Sequence, residues 1–333
     1  LLKPWMTIIS SGLLAMGILG LTVLAFRGNG VLFDATFPLL SLAAVFLSSI
    51  AFRLFVTDKE GRKLRGAFGH YVAPSVLAEI ETNPKALKLG GEIRDVTVMF
   101  VDIENFTPLS EKLKPEDLVH VINLLLDACS KAILAEQGTI DKYIGDAVMA
   151  FWNAPVTIPE HQYRAARAAL GIRRAVAALN KQPDLAALLK TNDAKPLAVR
   201  IGLSSGPACV GNMGSSERFD YSVLGETVNI ASRAEGLCKY IGHDIAIAGS
   251  LTAQTARLAT LFAGHVPMKG KTHRQPIHAI MGDVELAASN EFRQLAAAYL
   301  GIAEIIGKGR GGGVSGGIKR RLSEILGLFP EID

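Results

Sequence analysis

VTVMFVDIENFT, from Val96 to Thr107, is the stretch on which the predicted fold depends. A run of β-branched and apolar residues ends here in an acid, Asp102, and the chain then turns through Glu104 and Asn105. Such a run is typical of a buried strand. A carboxylate at the end of a buried strand is costly to desolvate unless a cation compensates its charge. We therefore expect Asp102 to bind a metal ion, and the turn after it to offer backbone N–H groups to phosphate.

A second acid lies in a predicted hairpin. Two strands, Thr139 to Ile144 and Ala147 to Trp152, are joined at Gly145-Asp146, a pair typical of a tight turn. An aspartate in such a turn is, by itself, more often a turn residue than a ligand. Together with Asp102 at the same end of a neighbouring strand, it predicts a site for two hard cations. Magnesium binds one or two carboxylates together with phosphate oxygens.

Strands and helices alternate around these two motifs. The order β-α-β-β-α-β predicts an α+β fold with a ferredoxin-like core that is elaborated after the second helix. The other predicted elements are strand Asp95 to Asp102, helix Pro115 to Glu136 with Gly138 ending it, helix Glu160 to Leu179, strands Val199 to Leu203, Gly206 to Asn212 and Phe219 to Leu224, helix Glu226 to Tyr240, strand Ile245 to Ala248 and helix Glu291 to Ile306.

Two polar residues of the helix from Glu226 to Tyr240 stand out. Asn229 and Arg233 are four residues apart, so they share one face. Ordinary solvent-exposed side chains would explain them. Alternatively, they bind a ribose oxygen and a phosphate whose charge grows in the transition state. Phe106 likewise has two interpretations, because it either closes the apolar side of such a site or packs in the core.

The N-terminal 56 residues predict a transmembrane hairpin, with helices at about 4–26 and 35–56. Pro4 to Phe26 and Ala35 to Phe52 are uncharged apolar runs, each about the length that crosses a bilayer. Basic residues follow the second run, beginning with Arg53, and predict a cytoplasmic location for this flank. Two such runs do not fit a cleaved signal peptide. A buried helical hairpin of a soluble protein is the alternative.

Composition and the remaining segments narrow the function further. The net charge of +4 does not indicate nucleic-acid binding. Three cysteines without CxxC spacing support neither a disulfide framework nor a zinc site, and fit a reducing cytoplasm. We expect residues 57–89 to form a signalling linker or a solvated juxtamembrane helix, 90–284 the catalytic domain, and 285–333 a helix, a Gly-rich linker and a short basic helix. Since the chain begins at Leu1 rather than Met, we regard it as part of a longer protein.

Five motifs in order carry a family resemblance. VDIENFT, DKYIGDAVMAFW, VRIGLSSG, YSVLGETVNIASR and MKGK resemble the catalytic domain of the class III nucleotidyl (adenylate/guanylate) cyclases, over roughly Gly90 to Met281. The preceding hairpin resembles the membrane-anchored bacterial type. The resemblance implies an adenylate cyclase, a phosphorus-oxygen lyase that converts ATP to cyclic AMP and pyrophosphate. It further implies a homodimer with two Mg²⁺ or Mn²⁺ ions per active site, held in the inner membrane by several spans with its catalytic domain in the cytoplasm.

The resemblance also implies roles for individual residues. It assigns metal binding to Asp102, Ile103 and Asp146, the triphosphate to Arg200 and Lys269, adenine to Lys142 and Ser222, further substrate contacts to Phe106 and Thr107, and catalysis to Asn229 and Arg233. In such a dimer the metal-side residues Asp102, Asp146 and Arg200 come from one chain. The others, Lys142, Ser222, Asn229, Arg233 and Lys269, come from its partner.

Two positions depart from the family pattern. Asn105 stands where Gly is common, and Asn tolerates a left-handed backbone. Ser222 stands where many adenylate cyclases have Asp and some bacterial ones have Thr; because its hydroxyl both donates and accepts, selectivity for ATP rests mainly on Lys142.

Three alternatives to an adenylate cyclase follow. The first is a guanylate or mixed-specificity cyclase. The second is an inactive nucleotide-binding signalling domain, although all the metal and Asn/Arg positions are present. The third is a membrane scaffold whose linker binds a partner. The turn IGDAV excludes the GGDEF turn of a diguanylate cyclase.

Overall fold

Two apolar helices form the described part of the first of two units, Leu1–Val72; the second unit is Ala73–Asp333. The computed structural model describes residues 4–30, 34–52, 90–215, 217, 219–249, 254–267 and 274–308. Helix α1 is Pro4–Asn29, and helix α2, Thr36–Phe52, contacts it. Within α1, 20 residues have a mean hydropathy of 2.1 and none is buried, so α1 is long and apolar enough to cross a membrane; α2 is shorter, with 17 residues. The two predicted apolar helices are confirmed as far as they are described.

The second unit contains the alternating elements that the sequence predicts, with additions. In chain order they are β1 Gly90–Ile103, α3 Phe106–Lys112, α4 Pro115–Ala135, β2 Thr139–Ile144, β3 Ala147–Trp152, α5 His161–Leu179, α6 Pro183–Thr191, β4 Val199–Gly214, β5 Phe219–Leu224, α7 Glu226–Ile241, β6 Ile245–Ala248, a 3₁₀ turn Thr255–Arg257, β7 Ala259–Val266, β8 Gln275–Gly282, α8 Val284–Ala288 and α9 Asn290–Lys308. The linker 57–89 and the tail from 309 onward, with the predictions made for them, lie outside the described residues.

The described strands form one sheet in the order β2-β3-β1-β4-β6-β8-β7, with β5 paired to β4. The first four strands are antiparallel neighbours. Helix α4 connects β1 to β2, and α5 lies between β3 and β4. This is the arrangement of a ferredoxin-like βαββαβ core, so the predicted α+β fold is confirmed. Strand β6 extends it in parallel to β4, and β7 and β8, which we did not predict, complete the edge.

Alternation along β1 divides its side chains between two apolar layers. Met99, Val101 and Ile103 pack with helices α4 and α5, whereas Val96 and Val98 pack with Ala231 of α7. Because side chains alternate along a strand, Asp102 lies on the same face as Val98, toward α7. Helix α4 is also long and apolar enough to cross a membrane, but its buried face belongs to this core.

Two predictions of local structure are wrong. Residues 199–203 and 206–212 form one strand, not two, because β1 pairs with β4 continuously from Ile103↔Val199 to Gly90↔Asn212. Gly138 does not itself end α4 by a left-handed turn, because that conformation falls on Gln137, with φ 62°. Glycine is needed at 138 for space, since a Cβ there would lie 2.6 Å from the side chain of Trp152.

Candidate active site

The two predicted metal acids lie side by side. Val101 pairs with Val148, so Asp102 at the end of β1 lies next to the two-residue turn, Gly145-Asp146, between β2 and β3. Burial raises the pKa of Asp146, and the negative charge of Asp102 raises it further. One buried oxygen of Asp146, Oδ2, has no hydrogen-bond partner in the described part of the chain. We call Asp102 and Asp146 the acid pair.

The turn that follows Asp102 bends at Asn105, a residue type that tolerates a left-handed backbone. Asn105 is left-handed, with φ 58° and ψ 38°, and α3 begins directly after it at Phe106. Phe106 is half-buried and packs against the apolar core, which is the second of its two predicted roles. Thr107 is exposed. Contact of Phe106 or Thr107 with a substrate stays a prediction.

Arg200 lies directly across from Asp102 on strand β4. Its Nη2 donates to Oδ2 of Asp102 at 3.0 Å, and its Nε lies 2.9 Å from Oε1 of Glu235 on α7. Sequence reasoning missed Glu235. Burial raises its pKa, the positive charge of Arg200 opposes that shift, and the negative charges of Asp102 and Asp146 add to it. The guanidinium of Arg200 therefore lies beside the acid pair, and its contact with Glu235 helps to fix its position.

Helix α7 carries Glu235 into this position because it touches strand β4. A Cβ added at Gly202 would lie 2.1 Å from the backbone N of Glu235 and 2.2 Å from the carbonyl oxygen of Ala231. Only a glycine permits this approach of helix to strand. The sequence signal for Glu235 was therefore the glycine of RIGLSS, together with an acid on the otherwise apolar face that contains Ala231, Ala234 and Cys238.

Asn229 and Arg233 lie on the same helix but point in another direction. At 3.6 residues per turn, Glu235 is about 160° around the helix from Arg233 and about 120° from Asn229. Asn229 is exposed and Arg233 is half-buried. Since Glu235 faces Arg200 of its own chain, Asn229 and Arg233 are directed away from the acid pair of that chain. Lys269, the remaining predicted triphosphate ligand, lies outside the described residues.

The residues predicted to bind adenine form a second group. Ser222 Oγ donates to Oδ2 of Asp141 at 2.7 Å, and Nζ of Lys142 lies 3.3 Å from the other oxygen, Oδ1. The Asp141 side chain is fully buried, whereas that of Lys142 is 42% exposed. We call Asp141, Lys142 and Ser222 the base-side cluster. The structure places Lys142 and Ser222, both predicted to bind adenine, against one acid, Asp141, which the prediction missed.

The acid pair fits a divalent cation that also binds a substrate. In the described part of the chain, no group of three or more His, Cys, Asp or Glu side chains is placed to hold a metal ion. Two carboxylates, one with an unpartnered buried oxygen, suit Mg²⁺ or Mn²⁺ whose other ligands are phosphate oxygens and water. Ile103, the further predicted ligand, has a buried side chain, so only its backbone remains for such a role.

Comparisons with known proteins agree on one family. The family model described as the adenylate and guanylate cyclase catalytic domain matches residues 91–282. Adenylate cyclase 1 of Rhizobium meliloti (strain 1021) is 34% identical over 199 residues, which are 60% of this chain and 29% of that protein. The chain spans less than half the length of this and similar curated relatives.

Two solved structures share the fold. The adenylyl cyclase CyaB from P. aeruginosa superposes with a TM-score of 0.53 at 30% identity, covering 59% of this chain and 97% of that one. The guanylyl cyclase Cya2 superposes with a TM-score of 0.50 at 27% identity, covering 59% and 95%. The two neighbours therefore differ in the nucleotide that their names give.

Proposed function

Since the chain belongs to the family of adenylate and guanylate cyclase catalytic domains, we propose that it is an adenylate cyclase, which converts ATP to cyclic AMP and pyrophosphate. The observation that carries this proposal is the acid pair, in which one buried carboxylate oxygen has no partner in the described chain. An unpartnered buried carboxylate oxygen is costly unless a ligand completes it. Cations that bridge the acid pair and a triphosphate would do so.

The reaction is an in-line displacement at phosphorus. The ribose 3′-hydroxyl releases its proton to solvent water and its oxygen attacks the α-phosphorus. The new P–O bond closes the ring, and the bond from the α-phosphorus to the pyrophosphate oxygen breaks. Asp102 and Asp146, with Ile103, would hold two Mg²⁺ or Mn²⁺ ions, which supply Lewis-acid activation of the 3′-hydroxyl and neutralise triphosphate charge.

The chain's own residues position the nucleotide for this displacement. Arg200 exchanges its contact with Asp102 for the triphosphate, which Lys269 also binds. Asn229 orients the ribose, and Arg233 donates to the phosphate oxygens as their charge grows.

The site is shared between two chains of a homodimer. Glu235 and Arg200 contact each other within one chain, and this places Asn229 and Arg233 on another side of α7, away from the acid pair. A second copy of the chain must then bring its own Asn229 and Arg233 to that acid pair. This geometry supports an arrangement in which each site takes its metal ligands from one protomer and its ribose and base contacts from the other.

Two observations favour ATP over GTP, and one favours a second candidate. Lys142 is accessible at the base-side cluster, and the relatives from Rhizobium and P. aeruginosa are named for adenylate cyclase activity. Guanylate cyclase activity is the second candidate function, because the solved guanylyl cyclase Cya2 shares the fold.

The exposed apolar surface of α1 and α2 supports a membrane anchor. Side chains such as Leu13, Leu21 and Phe37 are more than half exposed, although they are large and apolar. Insertion of both helices into the inner membrane would cover this surface and leave the catalytic domain in the cytoplasm.

An assay of the full chain in membranes tests the function. Cyclic AMP and cyclic GMP are measured after incubation with ATP or GTP, and with Mg²⁺ or Mn²⁺. Asp102→Ala and Asp146→Ala are compared with Asp127→Asn, a charge change on the exposed face of α4, where Asp127 pairs with Lys131. We expect cyclic AMP from the wild type and Asp127→Asn, and none from either alanine variant. Cyclic GMP as the main product would establish the second candidate. If folded protein that binds nucleotide forms neither cyclic AMP nor cyclic GMP, that result would contradict cyclase activity.

A further inference from the structure

The carboxylate of Asp141 is a buried group that the proposed mechanism does not use. It lies behind Ser222 and Lys142, and its side chain has no exposed surface. Ser222, only 5% exposed, donates its single hydroxyl proton to Oδ2 of Asp141 at 2.7 Å. Lys142 Nζ is 3.3 Å from Oδ1. Both residues that are predicted to touch adenine are thus in contact with the same acid.

A β-bulge allows Asp141 to reach both neighbours. Strand β2 pairs Ile140 with Ala150 and Lys142 with Met149, so Asp141 is the extra residue between two successive pairs. In a regular strand, adjacent side chains point to opposite faces. A bulge removes this alternation locally and re-aims a side chain. Asp141 and Lys142 can therefore contact each other although they are adjacent in sequence.

The hydrogen bond from Ser222 to Asp141 determines what Ser222 can offer a ligand. An ionised carboxylate only accepts hydrogen bonds, and a serine hydroxyl has one proton and two lone pairs. When that proton is given to Asp141, Ser222 Oγ presents only acceptor lone pairs. The exocyclic amino group of adenine is a donor, whereas the 6-oxygen of guanine or hypoxanthine is an acceptor. The first would pair with Ser222 and the second would face it lone pair to lone pair.

The surroundings of Asp141 bear on its charge. Burial raises the pKa of Asp141, and three neighbours oppose that shift: the hydroxyl of Ser222, the positive charge of Lys142 and the backbone N–H of Val223. All three are donors that stabilise an ionised carboxylate.

We propose that Asp141 is a positioning residue that makes the base subsite selective for 6-aminopurine nucleoside triphosphates, by fixing the Ser222 hydroxyl as an acceptor toward the base. The proposal rests on the proposed cyclase function. It adds to Lys142 a second determinant of the base, one that acts through Ser222 without touching the nucleotide.

The test compares ATP with inosine triphosphate, which differs from ATP in the purine ring by an oxo group at position 6 and a proton at N1. The readout is the ratio of kcat/KM for the two nucleotides, measured on the full chain. We expect the wild type to prefer ATP, and Asp141→Asn to lower the preference roughly tenfold or more, because its amide can donate to Ser222 and free the hydroxyl proton. Asp127→Asn is the matched control and should leave the ratio unchanged.

A double-mutant cycle identifies Ser222 as the route. If Asp141 acts through Ser222, then Ser222→Ala lowers the ATP preference by itself, and adding Asp141→Asn to it lowers the ratio no further. Should Asp141→Asn not fold, Ser222→Ala alone still decides, because an unchanged ratio would overturn the proposal.

Two results of this experiment separate the inference from the proposed function. A wild type that cyclises ATP and inosine triphosphate equally, or an Asp141→Asn variant that keeps the full preference, would overturn the inference while the cyclase function holds. A wild type that forms no cyclic product from either nucleotide would overturn the proposed function, and the inference with it.

Discussion

The acid pair and the base-side cluster both contain a buried carboxylate next to a cation, but the two carboxylates differ in the groups that contact them. In the acid pair, Oδ2 of Asp146 has no hydrogen-bond partner within the described chain, and Arg200 forms its ion pairs with Asp102 and Glu235. In the base-side cluster, Oδ2 of Asp141 accepts a hydrogen bond from Ser222, and Oδ1, which has no hydrogen-bond partner in the described chain, lies 3.3 Å from the charged Nζ of Lys142. Asp146 can therefore take a cation from outside, whereas Asp141 already has the ammonium of Lys142 and the hydroxyl of Ser222 beside it and acts on those neighbours.

The largest effect should come from separating the two halves of the site. We expect Asp102→Ala and Asn229→Ala each to lower activity by about 10³-fold or more as homodimers, since each removes one half of both sites. Mixing the two variants should restore about a quarter of the wild-type activity, because half of the dimers are mixed and each has one intact site. Cyclic AMP formation before and after mixing measures this. No recovery, with mixed dimers shown to form, would contradict a site shared between chains.

The second prediction concerns the cation beside the acid pair. We expect Arg200→Ala to lower kcat/KM for ATP about 10²-fold through loss of a charge-assisted phosphate contact. Glu235→Ala should lower kcat/KM for ATP about tenfold, because Arg200 keeps its contact with Asp102 but loses its contact with Glu235. Steady-state kinetics measure both. Arg174→Ala on the exposed face of α5 is the matched control, and a loss there as large as that of Arg200→Ala would point to a general effect of surface charge.

The third prediction places a second carboxylate in the base-side cluster. In Ser222→Asp, the new acid meets Asp141 where the Ser222 hydroxyl now lies 2.7 Å away. Two buried like charges should lower the free energy of unfolding by about 2 kcal/mol. In Ser222→Asn, the side chain has the same shape as Asp without the charge. This variant should lower the free energy of unfolding less than Ser222→Asp does.

The double variant Asp141→Asn/Ser222→Asp should recover most of that loss, because it moves the carboxylate from one position to the other. Chemical denaturation in detergent measures these differences. Equal stability of Ser222→Asp and Ser222→Asn would show that the two acids do not meet.

The smallest expected effect is on the metal-free protein. The pKa of Asp146 is raised above its ordinary 3.8, so the folded state favours the protonated form more than the unfolded state does. Stability from this group is therefore present at low pH and lost as pH rises through the raised pKa. We expect Asp146→Asn to be more stable than the wild type at pH 7 without divalent ions, within about 1 kcal/mol, and the difference to vanish below the ordinary pKa.

Thermal unfolding across pH measures this difference between Asp146→Asn and the wild type. Added Mg²⁺ or Mn²⁺ should then raise the melting temperature of the wild type only. A lower melting temperature for Asp146→Asn at pH 7 would show that the ionised acid stabilises the fold.

The parts of the site that the sequence predicted are those that local pattern determines. An apolar strand that ends in an acid, and an aspartate in a two-residue turn, are visible within a dozen residues, and so were Asp102 and Asp146. Asn105 adopts the left-handed conformation that Asn was expected to tolerate in place of Gly. The ferredoxin-like core followed from the order of strong strands and helices.

The parts that were missed depend on contacts between distant segments. Asp141 is buried because a bulge turns it toward Ser222, which lies 81 residues later in the chain. The residue pattern of β2 does not predict this bulge. Glu235 meets Arg200 only because Gly202 admits the helix. The continuous strand β4 was divided in the prediction because its small and polar residues resemble a turn until β1 pairs along them.

The close contact of α7 with β4 at Gly202 also links the two active sites of the proposed dimer. Helix α7 rests on strand β4 without an intervening side chain, so it has little freedom to slide. In the proposed dimer, Glu235 on that helix steadies Arg200 in one site, while Asn229 and Arg233 reach the other. When a nucleotide draws Arg200 away from Asp102, the change in the contact of Arg200 with Glu235 would be transmitted through α7 to Asn229 and Arg233 at the neighbouring site. Such coupling is reciprocal, so the two sites of the dimer would bind nucleotide cooperatively and not independently.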